Sequence, residues 1–265
     1  MNQTETTQAN RHILDEMMTD FYFHQDPRFL RIEYSQLIDA SKANQTGIKK
    51  YMQSFFNLRY AWQKTLKYKK YFEHFYPQTG QIEKIEALNH HIHAYLEDME
   101  TLKNKIEVLF GEMKNDIKKV ASNKKDIDEF FKAGIEKTKE VFAQVSKHRG
   151  EHRHRGMRFF DPDLLKAENA NGFLEIVATP QFDAMLNQEY KPQLIEKFTR
   201  EREESFEIAK KRWIEMAKRN DEQTTGYLDA ILKGSRSPLY QFLNIKPVQE
   251  VINSAEQSKR VGTKT

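Results

Sequence analysis

The chain has 265 residues, 31% of them charged, with a formal net charge of +4 and only 10 glycines and 7 prolines. That balance points to a helix-rich protein long enough to bury a substantial core, and away from a sandwich or barrel. It contains no cysteine, which excludes disulfide scaffolds, thiolate-ligated zinc, iron–sulfur centres and thiol catalysis.

No secretory signal is legible in the first thirty residues and no apolar run is long enough to span a bilayer, so a soluble, cytoplasmic protein without a membrane partner is expected. Acidic and basic residues are interleaved along the chain, and the small basic excess is compatible with a nucleic-acid partner without requiring one. The single domain expected over 1–265 carries unstructured tails at 1–10 and 258–265.

Ile48, Met52, Phe55, Leu58, Trp62, Leu66, Phe72 and Phe75 recur at helical steps and predict one long helix from about Gly47 to Phe75, stopped by Pro77 and Gly80. The next stripe is the most regular: Ile85, Leu88, Ile92, Tyr95, Met99, Leu102, Ile106, Leu109, Met113 and Val120 form a heptad-like seam that asks for a long partner helix. Ser122-Asn123 breaks it, and a third helix from about Lys125 turns Ile127, Phe131, Ile135, Thr138, Phe142 and Val145 inward. The pair reads as an antiparallel helical hairpin.

Breaks at Asp161-Pro162, Asn171-Gly172, Thr179-Pro180 and Lys191-Pro192 predict an irregular connecting segment over 156–192 with short helices. Phe173–Ala178 is its one strand-like run, with nothing to pair with. A last long helix is expected from about Gln193 to Leu232, ended by Gly234 and Pro238, and a short helix from about Pro247 closes an all-α bundle.

The segment His148–Arg158 gathers three of the nine histidines and four arginines. Imidazole titrates near neutrality and guanidinium grips phosphate or carboxylate through a fork of donors, so the tract is where chemistry is expected. Carrying the third helix's inward stripe past Phe142 and Val145 brings Arg149 and His152 inward. Buried cations require either a solvated cleft at that level or acceptors on another segment. With the turn at 122–123, residue x of the hairpin lies roughly opposite residue 245 − x. Arg149 then faces Leu96, and His152 and His154 lie level with His93 and His91.

Three readings stay open. In the first, the histidines and arginines belong to a solvated helix end; in the second, His148 and His152, one turn apart, chelate a metal with His91 or His93 and Glu151 or Asp161; in the third, the tract transfers phosphoryl groups. In favour of the third, Arg149-Gly150-Glu151-His152-Arg153-His154 places a histidine after an arginine with four residues between them, near the end of a long helix. This resembles the signature of the HEPN superfamily, helical-bundle proteins of bacterial toxin–antitoxin and other defence systems, over about residues 81–158, with Gly150 standing where that family favours a polar residue.

The resemblance implies a metal-independent endoribonuclease that uses no cofactor and works as a homodimer, with RNA as substrate and an antitoxin or other protein as a further partner. Arg149 would be the phosphate clamp and His154 the base, with His152 the alternative base. Arg153, Arg155 and Arg158 would follow the RNA backbone, while His91, His93 and Glu151 support the site. Residues five apart on a helix point ~140° apart, so both motif residues reach one site only if the helix unwinds or two protomers contribute. Phe159 and Phe160 are available for base stacking, though core packing is the simpler use. The competing class is a non-catalytic scaffold or partner-binding protein acting through the heptad-like seam.

Overall fold

The computed structural model describes residues 12–76, 83–154, 161–183, 185–186 and 188–262, with side chains left out at 151–154, 183 and 259–262. Among the described residues every regular element is helical. In order these are α1 (Ile13–Gln25), a 3-10 turn (Pro27–Phe29), α2 (Ile32–Ser35), α3 (Gln45–Thr65), α4 (Tyr68–His74), α5 (Lys84–Val120), α6 (Lys124–Val141), α7 (Ala143–His154), α8 (Pro162–Val177), α9 (Pro180–Asp183), α10 (Lys191–Leu243) and α11 (Val248–Gly262). The chain divides into two compact units: Met1–Trp62, Leu102–Val141 and Thr224–Thr265 form the first, Gln63–Thr101 and Phe142–Gln223 the second.

The α5 seam is buried as its spacing predicts. Ile85, Leu88, Ile92, Tyr95 and Met99 in the second unit, and Leu102, Ile106, Leu109 and Met113 in the first, are each at most 5% exposed. Each such side chain contributes about 1.5–3 kcal/mol relative to exposure. Val120, expected to close the stripe, is 50% exposed at the helix end.

Within each unit α5 touches the next helix of that unit in chain order. In the first, Phe110 meets Phe131 at 6.1 Å between ring centroids and Lys118 Nζ donates to Asp128 at 2.5 Å. In the second, Ser146 Oγ donates to Glu100 at 2.9 Å.

Five boundaries differ from expectation. The helix expected over 47–75 is two helices with a turn at Leu66-Lys67, and Phe75 beyond α4 is 67% exposed rather than inward. The third helix is likewise divided at Phe142, a buried residue between α6 and α7.

The segment 156–192 holds a regular helix where breaks were expected. Asp161 is the N-cap of α8, accepting from the Asp163 and Leu164 amides, and Pro162 stands in the first turn, where its missing N–H costs nothing. Leu164, Ala167, Ala170 and Val177 are buried at helical steps, so the strand-like run 173–178 ends as helix.

α10 runs past Gly234 and Pro238 to Leu243. Proline removes one backbone bond and crowds the carbonyl four residues earlier, here that of Gly234. Burial of Leu232, Ser235, Leu239, Tyr240 and Leu243 on either side outweighs that loss. At the carboxyl end, α11 continues through Gly262, which carries helix into the expected tail at 258–265. The other expected tail, 1–10, lies outside the described residues.

Candidate functional site

The second unit supplies the scaffold for the basic tract. α7 begins at Ala143, buries Val145, and brings Arg149 to the next inward position, where its side chain is 22% exposed. The cation finds an acceptor on another segment. Arg149 Nε donates to Glu97 Oε1 at 3.0 Å and Nη2 to Oε2 at 3.2 Å, a two-pronged pair between α7 and α5. Glu97 raises the Arg149 pKa through that pair, opposed by partial burial, with Glu100 adding to the negative field. The neighbour across the hairpin is thus Glu97, one residue from the Leu96 that the register names, and Leu96 itself is 2% exposed in the core.

His91 and His93 share α5 but have different surroundings. His91 is 8% exposed and its Nε2 donates to the Phe75 carbonyl at 2.7 Å. Phe75, Tyr71 and Tyr76 surround its ring at centroid distances of 5.6, 6.2 and 6.2 Å. That hydrogen bond fixes the chain just beyond α4, a structural use of the imidazole. His93 points to the exposed side of the helix.

The side chains of Glu151, His152, Arg153 and His154, and all of Arg155, Arg158, Phe159 and Phe160, lie outside the described residues. Among the described residues, no group of three or more histidines, cysteines or acids is arranged to hold a metal ion, and no helix is long and apolar enough to cross a membrane.

Several residues at this end were not singled out from sequence. Glu97 and Glu100 were findable, because the hairpin register places both within a turn of the position opposite Arg149. Asp161 entered only as a break and as a possible metal ligand, although Asp-Pro before an apolar run is also a helix-start signal. Its carboxylate, 3% exposed, accepts from Trp213 Nε1 at 3.0 Å and Arg212 Nη1 at 2.9 Å. Arg212 and Trp213 lie on α10, 51 and 52 positions further along the chain, and no local pattern announces that contact. Compared with known proteins, the chain matches no family model, no curated protein and no solved structure.

Proposed function

We propose that this protein binds RNA at the carboxyl end of α7 and cleaves it as a metal-independent endoribonuclease of HEPN type, in a bacterial defence or toxin–antitoxin role. The observation that carries the reading is the Arg149–Glu97 pair. Two donors of the guanidinium are fixed by Glu97, and Nη1 takes no part in that pair. A guanidinium set in one orientation at the mouth of a basic tract is a preorganised donor for a phosphate oxygen.

In the reaction, His154 takes the proton of an RNA 2′-hydroxyl, and the 2′-oxygen attacks the adjacent phosphorus. The bond to the 5′-oxygen breaks, that oxygen gains a proton, and a 2′,3′-cyclic phosphate is left. Arg149 stabilises the charge on the phosphoryl oxygens, with His152 the alternative base and Arg153, Arg155 and Arg158 along the strand. A second protomer would complete the site if the helical angle between Arg149 and His154 persists.

The seam residues of α5 are buried within the chain, which supports the RNA reading over capture of a partner through that seam. One observation still favours a purely structural Arg149: Glu97 and Glu100 together are enough to neutralise it.

The test is cleavage of single-stranded RNA by purified protein in EDTA. Arg149→Ala should slow it by ~10²–10³ and His154→Ala by ~10²–10⁴. Equal rates for wild type and both variants would remove the assignment.

A further inference from the structure

The first unit has a pocket of about 430 Å³ between the carboxyl end of α1 and the start of α3, lined by Tyr22, Gln25, Asp26, Phe29, Gln45 and Lys49. One wall is aromatic. The Tyr22 and Phe29 rings lean on each other with centroids 5.2 Å apart and planes at 35°, yet stay 42% and 64% exposed. Exposed apolar surface set among polar groups is what ligand grooves present. The Gln45 amide is fixed, because its Nε2 donates to the His24 and Ala40 carbonyls at 3.2 and 2.8 Å, which leaves Oε1 as an acceptor. Asp26 is matched by its neighbour, accepting from Arg28 Nε at 2.8 Å and from Nη2 at 2.6 Å. Lys49 is exposed and forms no ion pair among the described residues, so it is the pocket's uncompensated charge.

We propose that this pocket binds a small aromatic carboxylate. A planar ring lies against the Tyr22–Phe29 wall, its carboxylate meets Lys49 Nζ, and a ring N–H or O–H donates to Gln45 Oε1. Each requirement excludes a class of ligand. An aliphatic acid lacks the face that two exposed rings attract. An aromatic cation is repelled by Lys49, since Asp26 is already neutralised by Arg28. A neutral aromatic leaves the ammonium without a counter-charge. The volume lies toward the small end of ligand pockets, which run to about 300–1,000 Å³, and suits a one- or two-ring molecule. All six lining residues belong to the first unit and the basic tract to the second, so binding here does not depend on the RNA reading.

Indole-3-acetate is the probe, with tryptophol as its neutral analogue and acetate as its ringless one. In NMR titrations of the full chain, indole-3-acetate should bind one site with a Kd of about 1 mM or tighter, as ligands of about a dozen non-hydrogen atoms can reach. Tryptophol should bind about threefold more weakly, and acetate should not saturate. Lys49→Gln keeps a good helix former and should weaken indole-3-acetate about threefold to fivefold while leaving tryptophol unchanged, because only the anion uses the ammonium. Phe29→Ala removes a side chain that is 64% exposed and should weaken both indoles about tenfold. Both positions are on the surface, so both variants should melt with the wild type; Phe29→Leu, which removes the ring and keeps bulk, replaces Phe29→Ala if that variant melts lower. No saturable binding of indole-3-acetate below about 10 mM would overturn the proposal. So would unchanged affinity in either variant, or a loss for tryptophol in Lys49→Gln as large as that for indole-3-acetate.

Discussion

Each unit contains one buried aspartate built into the same device, and the two differ in an instructive way. In the second unit, Asp161 receives an arginine and the tryptophan next to it on α10 and caps its own helix, α8. In the first unit, Asp20 on α1 receives Arg236 Nη2 at 2.7 Å and Tyr240 O–H at 2.6 Å, again from α10. Its other oxygen accepts the Val248 amide at 2.9 Å, the first residue of α11, 228 positions away. A cap supplied by the adjacent residue organises a local turn; one supplied from the far end of the chain joins three segments. Arg236 also has its Nε buried without a hydrogen-bond partner, whereas Arg212 is the more solvated of the two, at 39% against 24% side-chain exposure.

That difference predicts which deletion costs more. Asp20→Ala leaves the largely buried Arg236 with Glu16 in place of two carboxylates and strips the acceptor from Tyr240 O–H and the Val248 amide, and should destabilise by about 3–5 kcal/mol. Asp161→Ala loses a cap and charged hydrogen bonds, but water can reach Arg212, so about 2–3 kcal/mol is expected. Urea unfolding of both variants measures the order, and an equal or reversed cost would break the comparison.

The same contrast explains what was legible in the sequence. The seam of α5, the all-helical class and the place of Arg149 within one residue of the Leu96 that the register names follow from period and from chain reversal, which are local rules applied over long stretches. Asp20, Arg236 and Tyr240 follow no period, and their meeting is a tertiary event. Pro238 misled for the related reason that a helix continues through proline when burial on both sides outweighs one lost bond. The candidate site was half legible: Arg149 stands where the stripe leads and its acidic partners lie near the level that chain reversal names, while the contact of Asp161 with Trp213 comes from a distant helix.

Titration should separate the units by the sign of their pH dependence. Asp221 in the second unit has its pKa raised by burial to about 7, with Lys69 opposing and Glu222 adding to the shift, and its buried Oδ1 has no hydrogen-bond partner. The folded form therefore holds a proton that the unfolded chain releases near its ordinary 3.8. The stabilisation is complete below that value and is lost as pH rises through about 7. Asp221→Asn should remove the slope and add about 1–2 kcal/mol at pH 8, a figure reduced because the group is partly solvated. His24 in the first unit behaves oppositely. Burial lowers its pKa, against the Lys246 carbonyl and Asp20, so stability is lost as pH falls below its ordinary 6.5. Melting temperatures of Asp221→Asn and His24→Gln between pH 4 and 8 check both signs, and slopes unchanged from wild type would show that other groups set the profile.

The smallest expected effect concerns two glycines inside helices, one in each unit. A Cβ on Gly234 would meet the Phe130 ring at 2.9 Å, so the first unit uses its missing side chain for close packing. A Cβ on Gly172 in α8 would meet nothing within 4 Å. Glycine there only adds freedom to the unfolded chain, so Gly172→Ala should stabilise by about 0.5–1 kcal/mol. Gly234→Ala must push aside the half-buried Phe130 ring and should destabilise by about 1 kcal/mol. If thermal unfolding gave Gly172→Ala a cost as well, α8 would need that glycine for something other than its backbone, and Asn171-Gly172 would regain the importance its break-like sequence suggests.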